Sequence, residues 1–216
     1  MPNDLISLTL FTLSSLLIVV NPIGAMIVYN SLTESMDTET RKRVAVYACR
    51  LSAIVLVFFT IFGSDLLSLF GITINAFTIA GGVLLFGIGM EMVYARTSRT
   101  KITATEKYES IDAEEVSSMP LAFPMISGPG TITTVIVLSK DAPLLTEPLY
   151  LGIIIGSVLI TIILTYALMM SAERFSHRIG QREYRVVNRL MGILLMAIAV
   201  QFMINGISQA FPALVN

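Results

Sequence analysis

The sequence predicts an all-α integral membrane protein. Six transmembrane helices form two inverted three-helix repeats, and the first helix of each repeat (spans 1 and 4) is discontinuous. Three observations carry that prediction. The chain of 216 residues is 55% hydrophobic and only 13% charged, with a mean hydropathy of +0.80; soluble domains carry about a quarter charged residues. Its lysines and arginines cluster between alternate apolar segments. Two of those segments are interrupted by a proline with glycine close by, a pairing that breaks helices.

A spanning helix needs about 20 mostly apolar residues. Six segments meet that need: 4–34 (interrupted), 44–70, 75–95, 117–139 (interrupted), 148–171 and 186–209. The gaps leave no room for a soluble domain. Residues 1–216 therefore read as a single transmembrane domain, with repeat one at 1–95, a cytoplasmic loop at 96–116 and repeat two at 117–216. The opening MPNDLISLTL has no basic n-region and no small-residue cleavage site, so it reads as the start of a retained span.

Orientation follows from the basic residues. Arg41, Lys42, Arg43 and Arg50 lie between or just inside spans 1 and 2. Arg96, Arg99, Lys101 and Lys107 lie between spans 3 and 4, and Arg174, Arg178, Arg182, Arg185 and Arg189 around the connection of spans 5 and 6. Only Lys140 of the 14 falls on the other side. Loops 1–2, 3–4 and 5–6 are expected to be cytoplasmic, in a cell membrane, with both termini extracytoplasmic.

Composition removes several functions. A net charge of −1 gives no basic footprint for nucleic acid. One cysteine, Cys49, allows no intramolecular disulfide, and one histidine, His177, leaves no zinc cluster. No cofactor and no metal are expected.

The repeat is visible in the third span of each half. Residues 82–93, GVLLFGIGMEMV, align without gaps on 192–203, GILLMAIAVQFM. Gly82, Leu84, Leu85 and Ile88 match Gly192, Leu194, Leu195 and Ile198, Gly87 and Gly89 become Ala197 and Ala199, and Glu91 becomes Gln201. The offset is 110 residues, close to the 107 that separate Pro22 in VNPIGAMIV from Pro129 in SGPGTITTV. Three spans per half put the second half into the bilayer from the opposite face. Inverted repeats of this kind build transporters, with the substrate site where broken helices meet.

Each break reads as one helix end followed by a helix start. Asn21 suits an N-cap, and Pro22 the first helical position, where its missing N–H costs nothing. Gly128 and Pro129 play these parts in the second repeat. The new half-helices offer N–H donors and a positive dipole end; the preceding ones, ending near Val19–Val20 and Met125–Ile126, offer free carbonyls. Together these suit the carboxylate and ammonium of a free amino acid, without any charged side chain. Gly24, Ala25, Gly128 and Gly130 keep the pocket small, for a small side chain. The plain alternative is a kink, common for proline and glycine in membrane helices. Pro120 and Pro124 precede the second break only, so 117–128 is expected to be irregular or re-entrant.

Intramembrane charges are functional suspects. Glu91 reads either as an interfacial residue paired with Arg96 or as a protonation site, and its repeat mate Gln201 keeps hydrogen bonding without titrating. Asp65 and Arg50 sit near span ends. Asn188, Thr131, Thr133 and Thr134 line a path or hold helices together. Gly152 and Gly156 form a GxxxG helix-contact signal of low specificity.

VNPIG in span 1, ISGPGT in span 4 and the three-plus-three plan resemble the MarC family of integral membrane proteins over essentially the whole chain. The resemblance implies proton-linked transport of small neutral amino acids, glycine and alanine among them. It places substrate between the discontinuous helices, at Asn21, Ile23, Gly24, Ala25, Ser127, Gly128, Gly130 and Thr131, with Pro22 and Pro129 making the breaks. The partners so implied are the amino acid, protons and the lipid bilayer. The wider superfamily includes exporters, so direction stays open. The competing classes are a channel, an intramembrane enzyme and a structural scaffold. The enzyme reading lacks a general base beside Ser127, and the channel reading lacks a ring of charges.

Overall fold

The computed structural model describes residues 5–34, 36–94, 117–140, 148–172 and 181–211. The loop at 96–116, both extreme termini, His177 and the Asn188 side chain lie outside the described residues.

Every regular element of the described chain is a helix. In order come α1 (Leu5–Val20), α2 (Pro22–Thr33), α3 (Thr38–Leu69), α4 (Ile74–Tyr94), the π-wound α5 (Ser117–Ile126), α6 (Pro129–Ser139), α7 (Pro148–Met170) and α8 (Gln181–Ala210). Five stretches are long and apolar enough to cross a membrane: Leu5–Asn30, Thr38–Leu69, Ile74–Tyr94, Pro148–Met170 and Arg189–Ala210. The first of these joins α1 to α2 across their break. Helix α6 is apolar but shorter. The protein is a multi-pass integral membrane protein.

Helix starts follow local chemistry. α3 begins at Thr38, earlier than its apolar run, because the Asp37 carboxylate accepts from the Glu39 and Thr40 N–H groups at 3.0 and 3.1 Å. That side-chain cap satisfies donors with no helical partner. The turn is tied further: Arg41 donates to Asn30 Oδ1 at 2.9 Å, and the Tyr29 hydroxyl donates to the Arg41 carbonyl at 2.9 Å. The end of α2 is thereby fixed to the start of α3.

The expected irregularity at 117–126 takes the form of π winding. Pro120 and Pro124 cannot donate to the regular α ladder. The wider winding appears where the Ser127 N–H reaches the carbonyl five residues back, Ala122, at 2.9 Å.

Helix α7 packs against α1, α2 and α3; α3 also packs against α5 and α6, and α6 touches α1 and α4. Leu16, Ala25, Tyr29, Ala45, Leu56 and Ile154 lie in the larger core that results. Helices α4 and α8 pair on one side, backbone against backbone. A Cβ at Gly82 would lie 2.7 Å from the Ala199 carbonyl oxygen, one at Gly192 2.8 Å from that of Gly89, and one at Gly206 3.0 Å from that of Asn75. Early residues of α4 meet late residues of α8, so the two run antiparallel. Only glycine permits so close an approach. The GxxxG pair behaves differently: a Cβ at Gly152 or Gly156 would meet nothing within 4 Å. Those glycines make no close helix contact among the described residues.

Candidate functional site at two helix breaks

Asn21 ends one helix and begins the next. Its backbone is left-handed, φ 49° and ψ 67°. Asparagine is among the few residues that adopt this region readily. Its N–H donates to the Leu17 carbonyl at 3.1 Å, closing α1, and its carbonyl accepts from the Ala25 N–H at 3.0 Å, opening α2. Its side-chain Oδ1 accepts from the Gly24 N–H at 3.2 Å. Pro22 takes the first helical position. The amide lies against Gly24, where an added Cβ would fall 2.5 Å from Asn21 Nδ2. Ile23 is half-buried, and Gly24 and Ala25 are buried.

The second break is capped without a side chain. Gly128 is extended, φ −70° and ψ 173°, and its carbonyl accepts from the Ile132 N–H at 2.9 Å. Ser127 is fully buried, and its hydroxyl donates to the Ala122 carbonyl at 2.8 Å. The Ser52 hydroxyl of α3 donates to the same carbonyl at 3.4 Å. Both hydroxyls thus join the Ser127 N–H at one carbonyl, and the two buried serine side chains are satisfied at depth. Gly130 and Thr131 are buried, while Thr133 and Thr134 donate to the carbonyls of Pro129 and Gly130 within α6.

The two breaks come together. A Cβ at Gly130 would lie 3.8 Å from Val19 Cγ1, at the end of α1. Helix α1 touches α6, and α2 touches α5, so each break faces the other's elements. The space above Gly130 is occupied by α4: its Cβ would lie 2.8 Å from Leu85 Cδ2 and 3.3 Å from Ile88 Cδ1. Sequence reasoning aligned Leu85 and Ile88 with Leu195 and Ile198 but assigned them no role at the breaks. Leu85 and Leu195 are buried in one cluster, with Ile18, Val19 and Ile198 packed against it. An apolar cleft of about 390 Å³ between α3, α4 and α6 reaches Pro129 and Thr133, with Phe59, Phe77 and Phe123 among its walls. Glu91 and Gln201 are both exposed, on α4 and α8.

This is an all-helical, multi-pass membrane protein whose interior holds two opposed helix breaks. The chain belongs to the MarC family of integral membrane proteins, whose family pattern matches residues 6–211. It is 38% identical over 194 residues to UPF0056 membrane protein PH0760 of Pyrococcus horikoshii, covering 89% of this chain and 90% of that one. It is 35% identical to UPF0056 membrane protein YvbG of Bacillus subtilis (94% and 95% covered) and 32% identical to UPF0056 membrane protein YhcE of Escherichia coli (91% and 90%). No solved structure matches the chain significantly.

Proposed function

We propose that the protein is a secondary transporter of small neutral amino acids such as glycine and alanine, working by alternating access around the two breaks. The observation that carries this reading is the meeting of two helix-start motifs, Asn21-Pro22 and Gly128-Pro129, at Val19 and Gly130. Helix starts attract a carboxylate and helix ends an ammonium, and both kinds of end occur here without a charged side chain. A zwitterion with a small side chain fits that chemistry. Glu91 is the group we assign to proton coupling, with Gln201 as its untitratable mate.

Six spans in inverted repeats are part of the same proposal, and the packing supports them. Exchange each residue of α4 with the one 110 positions later in α8. The approach of Gly82 to Ala199 and Met203 then becomes that of Gly192 to Gly89 and Val93, and both occur. The same exchange of halves turns α1–α7 into α5–α3, α2–α7 into α6–α3, and α1–α6 into α5–α2, all of which are packed pairs. The antiparallel register also brings the end of α4 level with the start of α8, the ends nearest Arg96 and Arg185. That supports a common cytoplasmic side for these basic clusters, with the termini outside, in the cell membrane.

The test is uptake of labelled glycine into proteoliposomes, with and without a pH gradient, by wild type and Asn21→Ala. The expected result is gradient-stimulated uptake by wild type and a loss of most of it in the variant. Wild type that moves no glycine under any gradient overturns the proposal. Equal uptake in the variant removes Asn21 from the site.

A further inference from the structure

We infer that the outer face of the α4–α8 pair is where a second copy of this chain docks in the membrane. This goes beyond transport and holds for any activity of the fold. Among the five apolar crossing stretches, Ile74–Tyr94 and Arg189–Ala210 are the least covered by their own chain. In each, 28% of the most apolar stretch is buried, against 39–44% in the other three. An apolar face alone would suit lipid. This face carries polar groups that do not.

Gln201 and Asn205 are both exposed on α8. Gln201 lies near the middle of Arg189–Ala210, well inside a hydrocarbon layer of about 30 Å. Its Nε2 donates to Asn205 Oδ1 at 2.8 Å. One bond leaves donors and acceptors of two amides still to be met, and lipid tails offer none. A copy of the same face does, because a carboxamide is both donor and acceptor and so pairs with itself. Interhelical amide bonds of this sort hold membrane helices together.

Small residues interrupt the large exposed side chains of this face, Val83, Met90, Ile193 and Val200 among them. Gly87 is exposed, and a Cβ there would meet nothing within 4 Å. Its repeat mate Ala197 is exposed too. In the α4–α8 register Gly87 lies level with residues 194–198, so the two small residues stand at about one depth. Glu91 and Gln201 each follow their small residue by four positions, about 6 Å along the helix and in opposite directions. The depth of Glu91, unlike that of Gln201, rests on the inverted-repeat reading, in which this level marks the bilayer centre. Backbones approach closely at small residues, and polar side chains a turn away close over the contact. Two copies in the same orientation meet isologously, depth matched to depth.

Disulfide cross-linking in native membranes tests this, in full-length chain carrying Cys49→Ser. Ala197→Cys is expected to give covalent dimers, and Gly152→Cys, on the exposed glycine face of α7, is expected to give none. In parallel, the mass of the wild-type protein in lipid nanodiscs is expected to be that of two chains. Adding Gln201→Leu is expected to lower the Ala197→Cys dimer yield at least tenfold. A single-chain mass in nanodiscs overturns the proposal, whatever the variants do. So does cross-linking through Gly152→Cys alone, or labelling of Gly87→Cys by a membrane-impermeant maleimide, which would make the face a water-filled path.

Discussion

The Asn21 side chain occupies the space that a Cβ on Gly24 would need, while its Oδ1 accepts the Gly24 N–H at 3.2 Å. Cap and glycine are therefore one unit. Asn21→Ala loses both the cap and the residue type suited to φ 49°, and is expected to cost about 1–2 kcal/mol. Asn21→Gly keeps the left-handed backbone and is expected to cost only about a few tenths of that unit. Thermal unfolding in detergent should rank wild type above Asn21→Gly and Asn21→Gly above Asn21→Ala. The reverse order of the variants would show that the left-handed backbone is not what Asn21 supplies.

Thr12 is fully buried on α1, and its hydroxyl finds no hydrogen-bond partner among the described residues. A buried unsatisfied hydroxyl costs about 1–3 kcal/mol. Thr12→Val keeps the shape and removes the hydroxyl. The expected outcome is a rise in unfolding temperature with the fold retained. A fall would mean that Thr12 meets a polar group in the membrane-embedded protein.

Leu85 and Ile88 cover Gly130 at 2.8 and 3.3 Å from where a Cβ would stand. If substrate sits at the breaks, these side chains limit its size. Ile88→Ala is expected to raise the uptake of valine relative to glycine severalfold in proteoliposomes. Leu85→Ala acts likewise but also empties a fully buried site, costing about 2–5 kcal/mol. An unchanged valine-to-glycine ratio in both variants would remove them from the substrate boundary.

The Thr40 hydroxyl, followed by the Thr40 and Glu39 N–H groups, holds the Asp37 carboxyl below its ordinary value of 3.8. A depressed folded pKa stabilises the protein above the unfolded value, and that contribution is lost as pH falls through the folded one. Asp37→Ala should thus lie below wild type in unfolding temperature by a constant amount near neutrality. The gap should close as pH drops below 3.8. A gap that widens on acidification would contradict the cap.

The parts that sequence made legible are those ruled by local chemistry. Asn21 and Pro22 announce a cap and a first turn, and Gly128 and Pro129 do the same; the chain obeys at both places. Hydropathy located the crossing helices to within a few residues, except where a polar cap such as Asp37 extends one beyond its apolar run. The π winding of α5 was not legible as such. Two prolines forbid the ordinary ladder, but the replacement is set with Ser52 of another helix. The glycines of α4 and α8 aligned as a repeat, yet their facing each other is a tertiary fact. Gly152 and Gly156 matched a contact motif, yet a Cβ at either would meet nothing within 4 Å among the described residues. Pattern names the residues capable of close approach; the partner decides which of them make it.

The burial of α6 bears on how the protein is made. From Gly130 to Ser139 every residue but Ile132 is buried. Its 11 residues rise about 16 Å, roughly half the hydrocarbon thickness. Such a segment has no lipid-facing stripe with which to partition from the translocon by itself. It must be received by helices already inserted, and those synthesised before it, α1, α3 and α4, are among the ones it touches. Chain order thus supplies the walls before their occupant emerges, and biogenesis of the second half depends on the first.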